Sequence, residues 1–454
     1  MRNSILISIF SLTIILIACK KEVGEYYSSS YSEVLPAGNC TVFDQSSLAF
    51  SYKINGMTTD QNLDFFVGNS FFNQNWVESP SSTTARDGLG PLFNARSCSS
   101  CHFRDGRGAP FSGEGLLLRL SVAGGNPEVT YGGQFQDGAI SNVSPEGNIS
   151  ITYTEIPGTF NDGVQYSLRH PNYNMVNLNY GAIDPGVMVS PRVGNQMIGL
   201  GLLEIIEESD ILSHADEADA DGDGISGKAN YVMDAYSGSI SLGRFGWKAN
   251  TPSINTQVAA AFNGDLGIKT NLFSSENHTS NQSNLDLLAN GGIVEINDED
   301  LDKVVLYCRT LGVPARRNSN EYNIQKGSNI FNSLNCNKCH VESYVTGTAG
   351  DIEPLKNVRI YPYTDLLVHD MGPELADNRP DGLANGNEWR TPPLWGIGLF
   401  KTVNNHTFLL HDGRARSVEE AILWHGGEGE ASKNAYKNLP AIERSYLLEF
   451  LNSL

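Results

Sequence analysis

The sequence predicts a mainly α protein in two similar halves, with long loops and a short-stranded insertion in the first half. Three observations predict it. Cys98-Ser99-Ser100-Cys101-His102 and Cys336-Asn337-Lys338-Cys339-His340 repeat one pentapeptide pattern, once per half. In this pattern two thiols bond the porphyrin and the following histidine ligates iron, which is c-type haem attachment. Each copy follows a glycine and a phenylalanine four apart, Gly68 with Phe72 and Gly327 with Phe331, as in a helix that packs closely on another. Each half also ends on an apolar helical stripe. A redox dithiol or half of a zinc site would explain one such motif. Zinc ligands, however, come as nearby cysteine pairs, and these pairs lie far apart, each with the same trailing histidine.

Taken in order, residues 1–19 are expected to be an address. Arg2 supplies the positive start, Ile5 to Ile17 the apolar run, and Leu16-Ile17-Ala18-Cys19 a small-residue cleavage site. The pattern resembles a bacterial lipoprotein lipobox, with Cys19 as the acylated residue. The run is too short for a comfortable membrane span. This implies an exported protein, lipid-anchored to the cell envelope and facing the periplasm or the cell surface. Membrane contact is then through the anchor only. Residues 20–60 read as a polar tether and N-terminal segment. Two further cysteines, Cys40 and Cys308, would either pair in an oxidising compartment or serve as core, since Cys308 shares a stripe with Leu301, Val304, Val305 and Leu311.

The chain has 454 residues, enough for two or three domains. We expect an N-terminal haem domain over 61–315, with an insertion at about 113–190, and a C-terminal haem domain over 316–454. The insertion is read from alternating stretches, Leu116 to Val122 and Ile149 to Tyr153, among many Gly, Asn and Pro residues. Asn297, Asp298, Glu299 and Asp300 give a capped, acidic start to a helix reaching Leu311, which Gly312 and Pro314 stop. Ile324, Gly327, Phe331 and Leu334 form the pre-haem helix of the second half. Pro440 opens the last helix, with Ile442, Tyr446, Phe450 and Leu454 on one face. A helix before the cysteines and another at the end is what a cytochrome c-like domain requires. The net charge of −20 argues against nucleic acid and against an anionic lipid surface.

Asp219, Asp221 and Asp223 alternate ahead of Gly224, so they could start a calcium loop with the Ile225 carbonyl as a further ligand. Asn230 stands where a bidentate Glu is expected, and a solvated acidic turn is the alternative. In the last third, Ser417 caps a helix with Glu420 at the capping-box position, ending at His425-Gly426-Gly427.

Gly201 to Glu204, Asp221 to Gly227, Gly243 to Lys248, Pro362 to Met371, Glu388 to Leu399 and His411 to Glu428 resemble the bacterial di-haem oxidoreductase family of peroxidase type. Some of its members are labelled thiol oxidoreductases. The similarity runs from about Gly68 to the C-terminus. Wider kin are the di-haem cytochrome c peroxidases, the methylamine dehydrogenase maturase and the rubber oxygenases. The resemblance implies two covalently bound c-type haems. It places His425 opposite His340 on the C-terminal haem, where the peroxidases carry methionine, with His369 and Met371 as rivals. A histidine in place of thioether should lower that haem's potential. His102 would be the proximal ligand of an N-terminal haem with an open or water-bound distal face. Trp247 is implied as an inter-haem residue, against a reading as core aromatic. Gln257 and Asp265 are implied as the distal groups assisting O–O cleavage.

The leading expectation is a peroxidase-like di-haem c-type oxidoreductase. Electrons would come from a redox partner protein of small cytochrome or cupredoxin type and pass to a small-molecule oxidant. The alternatives are a non-enzymatic di-haem electron-transfer lipoprotein, or an oxidase or oxygenase of an organic or thiol substrate.

Overall fold

The computed structural model describes residues 34–283 and 285–454; the leader, Cys19 and most of the tether lie outside them. Helix is only part of the architecture. About 30% of the described residues are helical and 19% lie in strands spread over many small sheets. That corrects the mainly α expectation, and neither half stands out as a cytochrome c-like domain. The physical reason lies in the connections, which pair locally into two- and three-stranded ladders instead of staying irregular. Such pairing satisfies backbone groups that would otherwise be buried bare.

Two helix pairs carry the core. Thr59–Asn73 begins with a full capping box between Thr58 and Gln61, and it crosses Asp298–Arg309. The crossing is close because Gly68 has no side chain: a Cβ there would lie 2.0 Å from the Lys303 carbonyl oxygen. Tyr322–Ser333 crosses Ala441–Ser453 in the same way, with Gly327 facing the Tyr446 carbonyl at the same distance. On the final helix Phe450 and Leu454 of the expected stripe are buried, joined by Leu447 and Leu451, while Ile442 is largely exposed. Replacing Gly327 with alanine is expected to lower stability by at least about 1–3 kcal/mol, because the helices must separate. A urea midpoint unchanged from wild type would show that the crossing tolerates a methyl group.

The insertion differs from the expectation too. Leu116–Ser121 is the middle of a three-stranded sheet with Gln134–Phe135 and Met188–Val193. Beyond it, Asn148–Thr159 and Gln165–Val176 form one long antiparallel hairpin rather than short strands. His170 sits within it opposite Thr154. The hairpin reaches across to the C-terminal half. Asp162 near its turn pairs with Arg444 at 2.9 Å, and Glu155 pairs with Arg416 at 3.1 Å. The hydrophobic core is correspondingly continuous from Ala37 to Leu454. Cys40 and Cys308 are separate buried thiols, the first with its Sγ 3.3 Å from the Pro354 carbonyl. Among the described residues no helix is long and apolar enough to cross a membrane.

Candidate functional site: two cysteine–histidine motifs and a cavity beside the second

The C-terminal motif opens onto an apolar cavity. Cys336, Cys339 and His340 line it together with His425, Met371, Trp247, Trp389, His411, Arg107 and Arg390. Cys336–Lys338 is a single 3-10 turn entered through Asn335 in the left-handed region, which places the two cysteines on adjoining positions. His340 donates from Nδ1 to the Tyr363 carbonyl at 3.0 Å, and His425 donates from Nδ1 to Ala421 at 2.7 Å. A carbonyl can only accept, so each ring carries its proton on Nδ1 and keeps the Nε2 lone pair for a metal. Burial pushes His340 down to about 4, with the nearby His425 adding to the depression; burial also lowers His425. Neutral imidazoles are the form that binds iron.

The rival His369 is removed by its own partners. Its Nε2 lies 2.7 Å from Asp365 and its Nδ1 lies 2.6 Å from Glu428. Burial alone would lower its pKa, but the Asp365 charge overcomes this and holds it well above the usual range. An imidazolium offers no lone pair. Met371 stays beside the cavity, yet it sits on the same strand turn that Glu428 grips through the Asp370 N–H at 3.0 Å. Sequence reading missed Glu428, because its bond to His369 spans 59 residues and leaves no local pattern.

The N-terminal motif uses the same device. Cys98–Cys101 is one helical turn, and His102 donates from Nδ1 to the Asn195 carbonyl at 2.6 Å. Gly194 leaves the room, since a Cβ there would lie 3.0 Å from the His102 ring. Phe72 from the Thr59–Asn73 helix packs on that ring at 6.1 Å. Burial, then the Asp265 charge, pushes the Cys98 thiol up to about 12 and raises Cys101 as well. Asp265 is thus close to both thiols, and burial raises its carboxyl although Gln134 donates to it at 2.8 Å. Gln257 shares the Ile254–Leu266 helix with Asp265, at a spacing that puts both on one face.

Trp247 is buried between the two motifs. Its Nε1–H donates to the Val193 carbonyl at 2.8 Å, the residue before the glycine under His102. Its other side lines the cavity that holds His340 and His425, and the Arg107 guanidinium lies 4.9 Å from its ring.

The acidic loop brings two of its alternating carboxylates together with a third. Asp219 and Asp221 gather with Asp216, their carboxylate oxygens all within 4.8 Å of one another. Lys338, inside the C-terminal motif, pairs with Asp223 at 2.9 Å and with Asp221 at 3.6 Å. The Ile225 N–H donates to Asp223 at 2.8 Å. The Ser226 N–H donates to Glu428 at 2.9 Å, so the loop is tied to the His369 cluster.

His411 stacks flat on Trp389, ring centroids 3.7 Å apart, and burial pushes it down to about 3. An unfolded chain takes up a proton on this histidine near pH 6.5, which the fold refuses until about 3. Stability therefore falls as pH drops through that window, by roughly 2 kcal/mol at pH 5. His411→Phe, which keeps the stacking ring, is expected to lose this acid sensitivity in urea melts at pH 7 and pH 5. An unaltered difference between those pH values would place the sensitivity elsewhere.

The donor set suits haem: two thiols, a proximal imidazole oriented by a carbonyl in each motif, and a facing imidazole across an apolar cavity. No curated protein and no solved structure matches the chain. Its sequence matches the family described as "Di-haem oxidoreductase, putative peroxidase" over residues 31–114 and 135–454. A match over most of the length, both motifs included, makes this chain a member of the di-haem oxidoreductase family.

Proposed function

We propose that the protein is a peroxidase-type oxidoreductase with two covalently attached c-type haems. The observation that carries this is the position of Trp247, whose ring borders the His340–His425 cavity while its N–H bonds to the strand end packed under His102. Bound haem would supply electron storage at the C-terminal site and reduction of peroxide or another small oxidant at the N-terminal site. The chain's residues do the rest. Cys98, Cys101, Cys336 and Cys339 anchor. His102, His340 and His425 present Nε2, each fixed by a backbone carbonyl. Trp247 bridges the two sites, and Asp265, raised by burial, is poised to hold or release a proton near Cys98 and Cys101. Gln257 is a second polar group on the same helix face.

The reading extends to calcium on the loop of Asp219, Asp221, Asp223 and Ile225. It is supported by the convergence of Asp219 and Asp221 with Asp216, while Lys338 pairs with Asp221 and Asp223. It also extends to an exported protein anchored by lipid on Cys19, drawing electrons from a small cytochrome or cupredoxin.

Electron paramagnetic resonance of the oxidised protein, with peroxide added to the reduced form, tests the function. One high-spin and one low-spin ferric signal with rapid oxidation by peroxide is the expected result. Two low-spin signals that ignore peroxide, even after partial reduction, would leave an electron carrier instead.

A further inference from the structure

The C-terminal cavity is bordered by two buried arginines that make no direct ion pair among the described residues, although the charges of Asp412 and Asp365 act on Arg107 and Arg390 from farther off. Arg107 and Arg390 are 3% and 5% exposed, and neither makes an ion pair among the described residues. Their neighbours behave differently. Arg192 meets Asp381 at 2.9 Å, Lys248 meets Asp377 at 2.8 Å and Arg414 meets Asp412 at 2.9 Å. Every one of those buried cations is neutralised by the protein. Arg107 instead donates from Nε to the Phe408 carbonyl at 2.9 Å and from one terminal nitrogen to the Leu410 carbonyl. Arg390 donates from Nε to the Gly246 carbonyl at 2.8 Å and from Nη1 to Thr391 at 3.2 Å. Among the described residues, Nη1 of Arg107 and Nη2 of Arg390 have no partner.

Burying an unpaired charge is costly, and proteins that do so supply a counter-ion. A guanidinium held on one edge by carbonyls presents its remaining N–H groups in a fixed fork suited to a carboxylate. The two forks are also linked. Arg107 lies over the Trp247 ring at 4.9 Å, while the Arg390 backbone N–H bonds to the Trp247 carbonyl at 2.8 Å. Both guanidiniums thus belong to the wall that Trp247 forms, and both border the cavity that receives His340 and His425.

We propose that Arg107 and Arg390 form a carboxylate cradle that takes the two propionates of the haem in the C-terminal cavity. The inference rests on the di-haem reading and deepens it. It assigns the edge of that haem that faces Trp247, and it gives the two guanidiniums a role in setting its potential. Positive charge beside a redox group favours the form with one more electron.

The test uses the full-length, haem-loaded protein with Arg107→Gln and Arg390→Gln, alone and together. Pyridine haemochrome counts the c-type haems, resonance Raman reads the propionate bending bands, and a spectroelectrochemical titration gives each midpoint potential. We expect two haems per chain, shifted propionate bands, and a lower midpoint for the C-terminal haem in each variant. The double variant should be lower still. Arg107→Lys and Arg390→Lys retain the charge but not the fork, so they should restore most of the potential while the Raman bands stay shifted. The lysine variants also keep the test open should the glutamine variants fold poorly. Two haems with bands and potentials unchanged in all variants would overturn the cradle alone. Fewer than two c-type haems in the wild type would overturn the di-haem reading and the cradle with it.

Discussion

His425→Ala is expected to convert the C-terminal haem from a low-spin, six-coordinate species to a high-spin or weakly ligated one. The side chain ends the Val418–Trp424 helix, with Nδ1 committed to the Ala421 carbonyl, so Nε2 is the atom left to ligate. Removing it leaves a methyl group in an apolar cavity. Among the described residues Met371 borders the same space, whereas His369 is locked between Asp365 and Glu428. Electron entry should slow by about tenfold or more, roughly 1.4 kcal/mol on the barrier. The readouts are the absorption and paramagnetic resonance spectra of the oxidised variant, with stopped-flow reduction by a small donor. An unchanged low-spin signal would remove His425 as the ligand and leave Met371 in its place.

Trp247→Phe should have the second-largest effect, and of a different kind. Phenylalanine keeps an aromatic ring for Arg107 to cover, but it loses the N–H bond to the Val193 carbonyl. Stability should fall by only about 0.5–1.5 kcal/mol, the net worth of one hydrogen bond. Oxidation of the fully reduced protein by peroxide should slow by about tenfold, while both haem spectra stay as in the wild type. That separation matters. Equal rates in the variant and the wild type would make Trp247 a core aromatic and nothing more, and a disturbed spectrum would point to a collapsed cavity.

Much of the site was legible in the chain, because its grammar is local. Cys98, Cys101 and His102, and likewise Cys336, Cys339 and His340, must share one turn to serve one ring, so their spacing is itself the signal. Gly68 and Gly327 marked close helix crossings for a similar reason, and both crossings exist. The Ser417 cap and the end of that helix at His425 also followed from residues a few positions apart.

What the sequence left out depended on distant partners. Asp216 joins Asp219 and Asp221 in the acidic loop, and Lys338 pairs with both Asp221 and Asp223. Ile442 read as part of the final buried stripe, yet it is largely exposed, while Leu447 and Leu451 join Phe450 and Leu454. The expected mainly α fold gave way to mixed helix and sheet, because the segments between helices pair with one another and the Asn148–Val176 hairpin clasps the opposite half.

The sequence by itself determined which thiols and imidazoles stand together, since their short spacing puts them on one turn. Tertiary structure alone decided which histidine keeps a free lone pair, which arginines make no direct ion pair, and what lies between the two motifs. Those properties arise when residues 107, 247, 390, 425 and 428 meet around one cavity, with Val193 and Asp365 bonded to residues that line it. Contacts made across such separations carry no period along the chain. Their energies are set by burial and by partners, which exist only once the chain has folded.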